Sequence, residues 1–208
     1  GRVVLQSLLQ MAISYYATFD ASEFDVTPLL EARGDGVAVN AQLLRSTVSP
    51  AAEGLKSLAG FRFDRTLRES GDLRAQLSGR FDSAEEWIVY GGKGARLNAT
   101  DGRSSYVLGT ILDDQLTGGT SDDVLFGDDG NDILRGGDLG RDLIVGGEGD
   151  DRLYGNELDK MYGGNGTDHY LVEDGGEIED TDGKGDVRFN GVFLAKGFRK
   201  GKGNTYTD

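Results

Sequence analysis

The chain of 208 residues contains no cysteine, only two prolines and a single histidine, His169. Without cysteine it can form neither disulfides nor thiolate metal sites, and one histidine is too few for a His-rich zinc or iron centre. So little proline excludes collagen-like and proline-rich linker segments. A chain that lacks these covalent and soft-ligand supports must gain its stability in another way.

Long apolar runs are also missing. The stretch 3–19 is apolar overall, but glutamines and serines interrupt it, so it does not predict a transmembrane segment. It has no basic region before it and no clear cleavage site, so it is a poor signal peptide as well. Its apolar residues recur at the spacing of one helix face, which predicts an amphipathic helix.

Signatures of catalysis are absent too. The sequence has no Gly-x-Ser-x-Gly elbow, and a single histidine rules out His-Glu-x-x-His. His169 follows the aspartate of a repeat, where we expect a structural role. We therefore expect no catalytic residue in this chain, and this expectation does not extend to the full-length protein.

Glycine and acidic residues are abundant. The chain has 34 glycines and a net charge of −14, and residues 109–182 hold 21 acidic against 4 basic side chains. Such a block would repel phosphates, so a nucleic-acid partner is not expected. An acidic tract can also be a solvated, disordered segment, but that reading requires sparse and unpatterned apolar residues.

The glycines instead mark a repeat of nine residues. Its units keep this spacing apart from one ten-residue and one eight-residue step, and they begin at Gly91, Thr100, Gly109, Gly118, Gly127, Gly136, Gly146, Gly155 and Gly163. Residues 118–126, 127–135, 146–154 and 163–171 are the clearest units. Their shared pattern is Gly-Gly-x-Gly-x-Asp-x-apolar-x, and a chance glycine-rich tract would not stay in phase over such a length.

Each unit divides into a six-residue turn and a short strand. Glycines let main-chain carbonyls point into the turn, and the aspartate at position six adds a charged oxygen, so the turn offers the hard ligands that calcium prefers. One turn supplies only part of a coordination shell, so an ion must lie between two stacked turns. The apolar residue at position eight would then face inward. The residues that occupy this position, or lie next to it, are Leu116, Leu125, Leu134, Leu143, Leu153, Met161 and Tyr170.

This pattern resembles the calcium-binding nonapeptide of the repeats-in-toxin (RTX) family, the hemolysin-type repeat of bacterial proteins exported by type I systems. The resemblance implies a mainly β fold, a right-handed parallel β-roll with several calcium ions along both edges. The residues that it implies as metal ligands are Asp114, Gly118, Ser121, Asp123, Gly127, Asp129, Gly130, Asp132, Gly136, Asp138, Asp142, Gly146, Glu148, Gly149, Asp151, Asp159, Gly164, Gly166 and Asp168.

Two units per coil place alternate turns on the same side. We call the side with the turns that start at 109, 127, 146 and 163 the first edge, and the side with those at 118, 136 and 155 the second edge. We expect the weakest calcium sites at Asp142 and Asp159, because their units depart from the standard length. Arg96 and Ser105 replace the aspartate in the first two units, which predicts metal-free capping coils.

Three regions follow. Residues 1–90 are expected to be a mostly helical cap or the end of an upstream domain, with helices at 51–58 and from Asp82 onward and a strand at 37–39. Residues 91–171 form the roll, with 91–108 as caps and 109–171 as calcium-binding units. Residues 172–208 form a C-terminal cap and a basic tail, which either contacts the acidic roll or the secretion apparatus or is merely solvated.

The expected function is a secreted, extracellular calcium-binding module. Its carboxylates should keep it unfolded without calcium, so that it folds outside the bacterium and supports the secretion and stability of a larger hydrolase, toxin or adhesin. Two alternatives stay open. The roll could be an adhesin or effector module that presents a surface to a partner, or it could be the C-terminal part of a lipase- or protease-type enzyme whose active site lies upstream.

Overall fold

The computed structural model describes residues 30–33, 35–47, 52, 53, 56, 71–89, 94–173 and 176–196. Short strands dominate these residues, and two helices precede most of them. In chain order the elements are β1 (Leu30–Arg33), β2 (Gly36–Asn40), α1 (Ala41–Thr47), α2 (Gly71–Ser83), β3 (Glu86–Val89), β4 (Arg96–Asn98), β5 (Ser105–Leu108), β6 (Gln115–Thr117), β7 (Val124–Asp129), β8 (Ile133–Arg135), β9 (Leu143–Glu148), β10 (Arg152–Gly155), β11 (Lys160–Asn165), β12 (Asp168–Val172), β13 (Glu177–Glu179), β14 (Gly185–Phe189) and β15 (Val192–Lys196).

Consecutive strands alternate between two sheets, which makes the molecule a parallel β-solenoid. Sheet A has the order β1-β2-β3-β5-β7-β9-β11-β13, and sheet B has the order β15-β14-β12-β10-β8-β6-β4. Pairing is parallel from β3 to β13 in sheet A and from β4 to β14 in sheet B. The mainly β, coiled fold expected from the repeat is therefore confirmed.

The apolar residue of each repeat points between the two sheets. Leu116, Leu134 and Leu153 from sheet B are fully buried against Val107 and Leu125 from sheet A. Strands this short cannot persist alone, so this shared interior holds the coils together.

One predicted member of the inner ladder is wrong. Leu143 lies on the outward face of sheet A, and its neighbour Ile144 takes the inward position, in register with Leu125. The ten-residue unit adds its extra residue before the strand, so the inward position of this unit moves by one residue, whereas Leu153 of the next unit faces inward as expected.

A second hydrophobic cluster covers the outward face of sheet A. It joins the helices to residues of β3, β5, β7 and β9. The ring of Phe81 stacks on Trp87 at a centroid distance of 4.6 Å, and the Trp87 indole Nε1 donates a hydrogen bond of 3.1 Å to the Phe81 carbonyl. Residues before the repeats thus share a core with the roll.

The N-terminal predictions have mixed outcomes. The strand expected at 37–39 is confirmed as β2, which pairs antiparallel with β1 and β3. The helix expected from Asp82 is wrong, because α2 ends at Ser83 and β3 begins at Glu86. Pairing with β5 and burial of Trp87 and Ile88 on opposite faces of the strand override the local helix signal.

Other predictions fall partly or wholly outside the described residues. The helix expected at 3–19 and the tail beyond 196 lie outside them, whereas the three described residues of 51–58 (Ala52, Glu53 and Lys56) are helical. Beyond Val172 the coil continues through β13 and β14, and β15 pairs antiparallel with β14. Within the part of the chain that the structure describes, no helix is long and apolar enough to cross a membrane.

Candidate metal centre

Aspartates at position six form a continuous ladder along the first edge. The main-chain N–H of Asp114 donates to Oδ1 of Asp132 at 2.8 Å, that of Asp132 to Oδ1 of Asp151 at 2.8 Å, and that of Asp151 to Oδ1 of Asp168 at 3.0 Å. Each carboxylate therefore holds the preceding coil in register. All four are fully or almost fully buried.

The second edge carries the same arrangement. The N–H groups of Ser105, Asp123 and Asp142 donate to Oδ1 of Asp123, Asp142 and Asp159 at 2.7, 2.8 and 2.9 Å. The structure thus places the predicted aspartates on the two edges expected from the spacing. One oxygen of each carboxylate is occupied by this ladder, so the other oxygen decides what the site can bind.

That second oxygen divides the aspartates into two groups. Among the described residues, Oδ2 has no hydrogen-bond partner in Asp132, Asp142, Asp151 and Asp168, which we call the open carboxylates; the other three are closed. In the other three it accepts a main-chain N–H of its own turn: Asp114 from Thr110, Asp123 from Gly119 at 2.6 Å and Asp159 from Asn156 at 2.8 Å. This grouping differs from the expectation based on unit length, since Asp142 joins the open group while Asp114 and Asp123 join Asp159.

The glycine two residues before the aspartate explains the division. Gly130, Gly140, Gly149 and Gly166 precede the open carboxylates and have φ values of 124°, 105°, 127° and 137°, which favour glycine. The other three turns have Leu112, Ser121 or Glu157 at that position. Without this glycine the turn bends differently, and one of its own amides reaches the carboxylate.

Oxygen atoms converge where each open carboxylate meets the first glycine of its unit. A Cβ atom at Gly127 would lie against Oδ2 of Asp132 and 2.6 Å from the carbonyl oxygen of Gly146. One coil further, a Cβ at Gly146 would lie against Oδ2 of Asp151 and 2.7 Å from the carbonyl oxygen of Gly163. An unpartnered carboxylate oxygen beside a carbonyl of the next turn fits a hard cation such as Ca²⁺.

Main-chain carbonyls would have to supply much of any coordination shell. Among the described residues, no three His, Cys, Asp or Glu side chains cluster closely enough to hold an ion by themselves. Stacked turns meet this need, because the carbonyls of Gly130 and Gly147 lie directly against Gly149 and Gly164 of the next coil. The donor set is therefore all oxygen, which favours calcium over softer metals.

Burial makes these carboxylates resist ionisation. Desolvation raises the pKa of Asp132 to about 8 and that of Asp142 to about 8, and neighbouring carboxylates act in the same direction against the main-chain hydrogen bonds. The same cause raises the pKa of Asp151 to about 9, of Asp168 to about 7 and of Asp123 to about 6. At neutral pH, ionising the carboxylates with the highest pKa values therefore costs free energy in the folded chain, and a bound cation would offset that cost.

The other predicted ligands lie in the same turns. Asp129 and Glu148 are Cα partners on the first edge, and Glu148 is exposed and accepts from the Asn165 amide at 2.9 Å. On the second edge, Asp138 is exposed and Ser121 is half-buried. The predicted glycines on the first edge are Gly127, Gly130, Gly146, Gly149, Gly164 and Gly166, and those on the second edge are Gly118 and Gly136.

A second ladder, at position five, escaped the sequence analysis. Oδ1 of Asp113 accepts the N–H of Asn131 at 2.8 Å, Asn131 accepts that of Asp150 at 2.8 Å, and Asp150 accepts that of Thr167 at 2.7 Å. These bonds run in the opposite direction along the roll to those at position six. The recurrence of Asp or Asn at position five of successive units was the signal in the sequence that could have predicted this ladder.

At the start of each ladder, groups of the capping coils make the hydrogen bonds, and none of these groups was predicted as a metal ligand. On the first edge Ala95 donates its N–H to Asp114. On the second edge Glu86, which is 1 % exposed, accepts from the Thr100 N–H at 3.1 Å and the Ser105 hydroxyl at 2.7 Å. Sequence reasoning missed Glu86, because it precedes the recognisable repeat.

Helix α2 also reaches the second edge. Arg80 donates from Nη1 to the carbonyl of Arg141 at 2.7 Å and to that of Asp123 at 3.5 Å. Its positive charge lowers the pKa values of Asp142 and Asp159, although desolvation outweighs it. The N-terminal elements are thus tied to a turn of the second edge as well as to the core.

Comparison with known protein families identifies the repeats. Two segments, residues 108–138 and 137–170, each match the pattern of the RTX calcium-binding nonapeptide repeat family, and that pattern comprises four copies of the repeat. The chain therefore contains RTX calcium-binding repeats, as the sequence pattern predicted. Comparisons with curated proteins and with solved structures gave no match.

Proposed function

We propose that this chain is a calcium-dependent folding module of a larger bacterial protein that is secreted by a type I system. Calcium would bind between successive turns on both edges, and the roll would fold once the protein reaches calcium-rich surroundings. We take the coil to be right-handed, in keeping with the resemblance and with the usual hand of parallel crossovers.

The observation that carries the proposal is the set of open carboxylates. Four buried aspartates hold an oxygen without a described partner, in turns where carbonyl oxygens converge. Leaving buried polar atoms unpaired costs about 1–3 kcal/mol each, and more when they are charged. A divalent cation offsets this cost and the mutual repulsion of the ladder, and its binding energy adds to the stability of the folded state.

The biological role rests on the family to which the repeats point. RTX repeats imply a module of type I secreted proteins, so we propose an extracellular location and, as partners, calcium ions and the secretion apparatus. An affinity of about 10⁻⁴–10⁻³ M, typical of extracellular modules, would leave the roll loose inside the cell. We propose no catalytic role for this chain, and any enzymatic activity would belong to residues upstream.

Circular dichroism of the whole chain with EDTA and then with excess calcium tests the proposal. We expect a weakly structured spectrum in EDTA that changes to a β-rich spectrum over a narrow range of calcium concentration, with magnesium as a matched control of equal charge. A spectrum that is the same in EDTA and in calcium would rule out folding on calcium binding.

A further inference from the structure

The outward face of sheet B differs from the rest of this acidic molecule. Its outward residues carry four exposed arginines (Arg96, Arg135, Arg152 and Arg188) against one acidic residue, Asp186. Helices cover the opposite face of the roll, on sheet A. Among the described residues, no carboxylate pairs with Arg96, Arg135 or Arg152.

The strand register sets these arginines in two neighbouring rows, with Arg96 and Arg152 in one and Arg135 and Arg188 in the other. They stand on β4, β8, β10 and β14, which are separated by two, one and two steps in the sheet. At about 4.8 Å per step, the positive charges span roughly 24 Å along the roll. The strands at this face are mostly three to five residues long, so the strip is only about 10 Å wide where the strands have three residues, at about 3.3 Å per residue.

A cleft of about 780 Å³ lies on this face where it meets the second edge. Its floor is a row of register partners that runs from Thr117 through Arg135, Tyr154 and Leu171 to Arg188. The guanidinium of Arg135 lies over the Tyr154 ring, 4.4 Å from its centroid. This volume is within the usual range of ligand sites.

The rim of the cleft adds hydrogen-bonding groups of both kinds. Asn156 and Asn190 supply amides, and Asp138 and Glu173 supply carboxylates. Sugar hydroxyls can donate to carboxylates and accept from amides and guanidinium groups. The half-buried ring of Tyr154, over which the Arg135 guanidinium lies, adds some apolar surface for a sugar.

We propose that this arginine strip binds a linear polysaccharide that bears carboxylates. The strip attracts anions, but acidic turns border it on both sides, within a Debye length of about 8–10 Å. A single anionic chain can follow the strip, whereas a membrane surface or a nucleic-acid duplex is wide enough to meet the acidic edges. Single-stranded nucleic acid needs several aromatic platforms, and among the described residues that line the cleft Tyr154 is the only aromatic one.

The proposal rests on the calcium-dependent folding proposed above, because the strip exists only once the coils have stacked. Calorimetry with the calcium-loaded full chain and oligosaccharides of hyaluronate, a linear glycan charged only through carboxylates, tests it. We expect saturable binding that weakens with salt. Neutral dextran, a thymidine oligonucleotide and phosphatidylglycerol vesicles are the comparison ligands, and tighter binding of either of the last two would overturn the proposal.

Variants locate the site. Combining Arg135→Gln, Arg152→Gln and Arg188→Gln should weaken hyaluronate binding by about tenfold or more, since exposed charge contacts contribute up to about 1 kcal/mol each. Arg141→Gln removes one positive charge from an exposed position on a second-edge turn, outside the strip, and should leave binding within about twofold, as compared with the loss expected per arginine of the strip. An equal loss of hyaluronate affinity in the two variants, or no hyaluronate binding by the wild type, would also overturn the proposal.

Circular dichroism on the same samples separates the two proposals. A chain that folds with calcium but does not bind hyaluronate contradicts the polysaccharide site alone. A chain that is already folded in EDTA contradicts calcium-dependent folding, and its hyaluronate binding still decides the second proposal. A chain that stays unfolded in calcium contradicts both.

Discussion

The main-chain N–H of Asp132 donates a hydrogen bond of 2.8 Å to Oδ1 of Asp151, one coil further along the roll, while Oδ2 of Asp151 has no partner among the described residues. One carboxylate therefore joins two coils through one oxygen and offers the other to a cation. Its structural and metal-binding roles can be separated, because an asparagine keeps an oxygen for the first and removes the charge needed for the second.

The substitution Asp151→Asn should have opposite effects in the two states. Burial and neighbouring carboxylates raise the pKa of Asp151 to about 9, so a neutral side chain should make the metal-free chain easier to fold at neutral pH. The calcium concentration at the folding midpoint should rise by about tenfold, the effect of losing roughly 1.4 kcal/mol of ion binding. Calcium titrations by circular dichroism measure both effects, and Asp101→Asn, at an exposed residue of a capping unit, is the control.

Open and closed turns on the second edge should differ in their response to the same change. Asp142→Asn removes an unpartnered oxygen, whereas Asp123→Asn alters a carboxylate whose Oδ2 already accepts from Gly119. We expect Asp142→Asn to raise the calcium midpoint several-fold more than Asp123→Asn, on the order of 1 kcal/mol of ion binding. Direct counting of bound calcium should show one ion fewer only for Asp142→Asn. If the Asp123 variant had the larger effect, unit length would be a better guide to the sites than turn geometry.

The coil, the two edges and the edge on which each position-six aspartate lies could be predicted from the sequence, because a nine-residue period with one apolar position fixes where each unit must lie. The division into open and closed carboxylates was missed, although the glycine two residues before each open aspartate was a signal in the sequence. Ile144 displaced Leu143 because an inserted residue changes which side chain faces the core. The packing of α2 and the burial of Glu86 depend on contacts distant in sequence, which the repeat pattern does not encode.

Replacing Gly149 with alanine should prevent normal stacking on the first edge. Its φ is 127°, a conformation that costs other residues about 1–3 kcal/mol, and the new Cβ would collide with the main chain of Gly130. The calcium-loaded variant should therefore unfold at a lower temperature or lower urea concentration. Gly79→Ala is the matched control, since a Cβ at that position in α2 meets nothing within 4 Å. Alanine there should stabilise the chain by about 0.5–1 kcal/mol.

Acid should weaken calcium binding and stabilise the metal-free roll. Burial raises the pKa values of Asp132 and Asp142 to about 8, from an ordinary value of 3.8, so the folded metal-free state binds protons more tightly than the unfolded chain. The stability from these protons is fully present below pH 3.8 and is lost as the pH rises through about 8.

Calcium must displace the same protons, so its affinity should increase with pH over the range in which they bind. Each proton released per ion contributes about a tenfold change in affinity per pH unit. Calcium titrations at pH 6, 7 and 8, within the range of these pKa values, should show a falling midpoint, together with proton release into a weak buffer. A midpoint that does not change with pH would show that these carboxylates are not the ligands.

Calcium binding at the repeats should also order the residues before them. Trp87 is the only tryptophan, is 2 % exposed and lies on β3, which pairs with β5 of the roll. Its fluorescence should shift to shorter wavelength with the same calcium midpoint as the circular dichroism signal. Arg80 connects α2 to the turn at Arg141, so Arg80→Gln should raise the calcium midpoint by about fivefold, the effect of roughly 1 kcal/mol. Arg141→Gln keeps the main-chain carbonyl that accepts this hydrogen bond, so this variant should leave the calcium midpoint unchanged. If Trp87 were already buried in EDTA, β3 and the helices would fold independently of calcium.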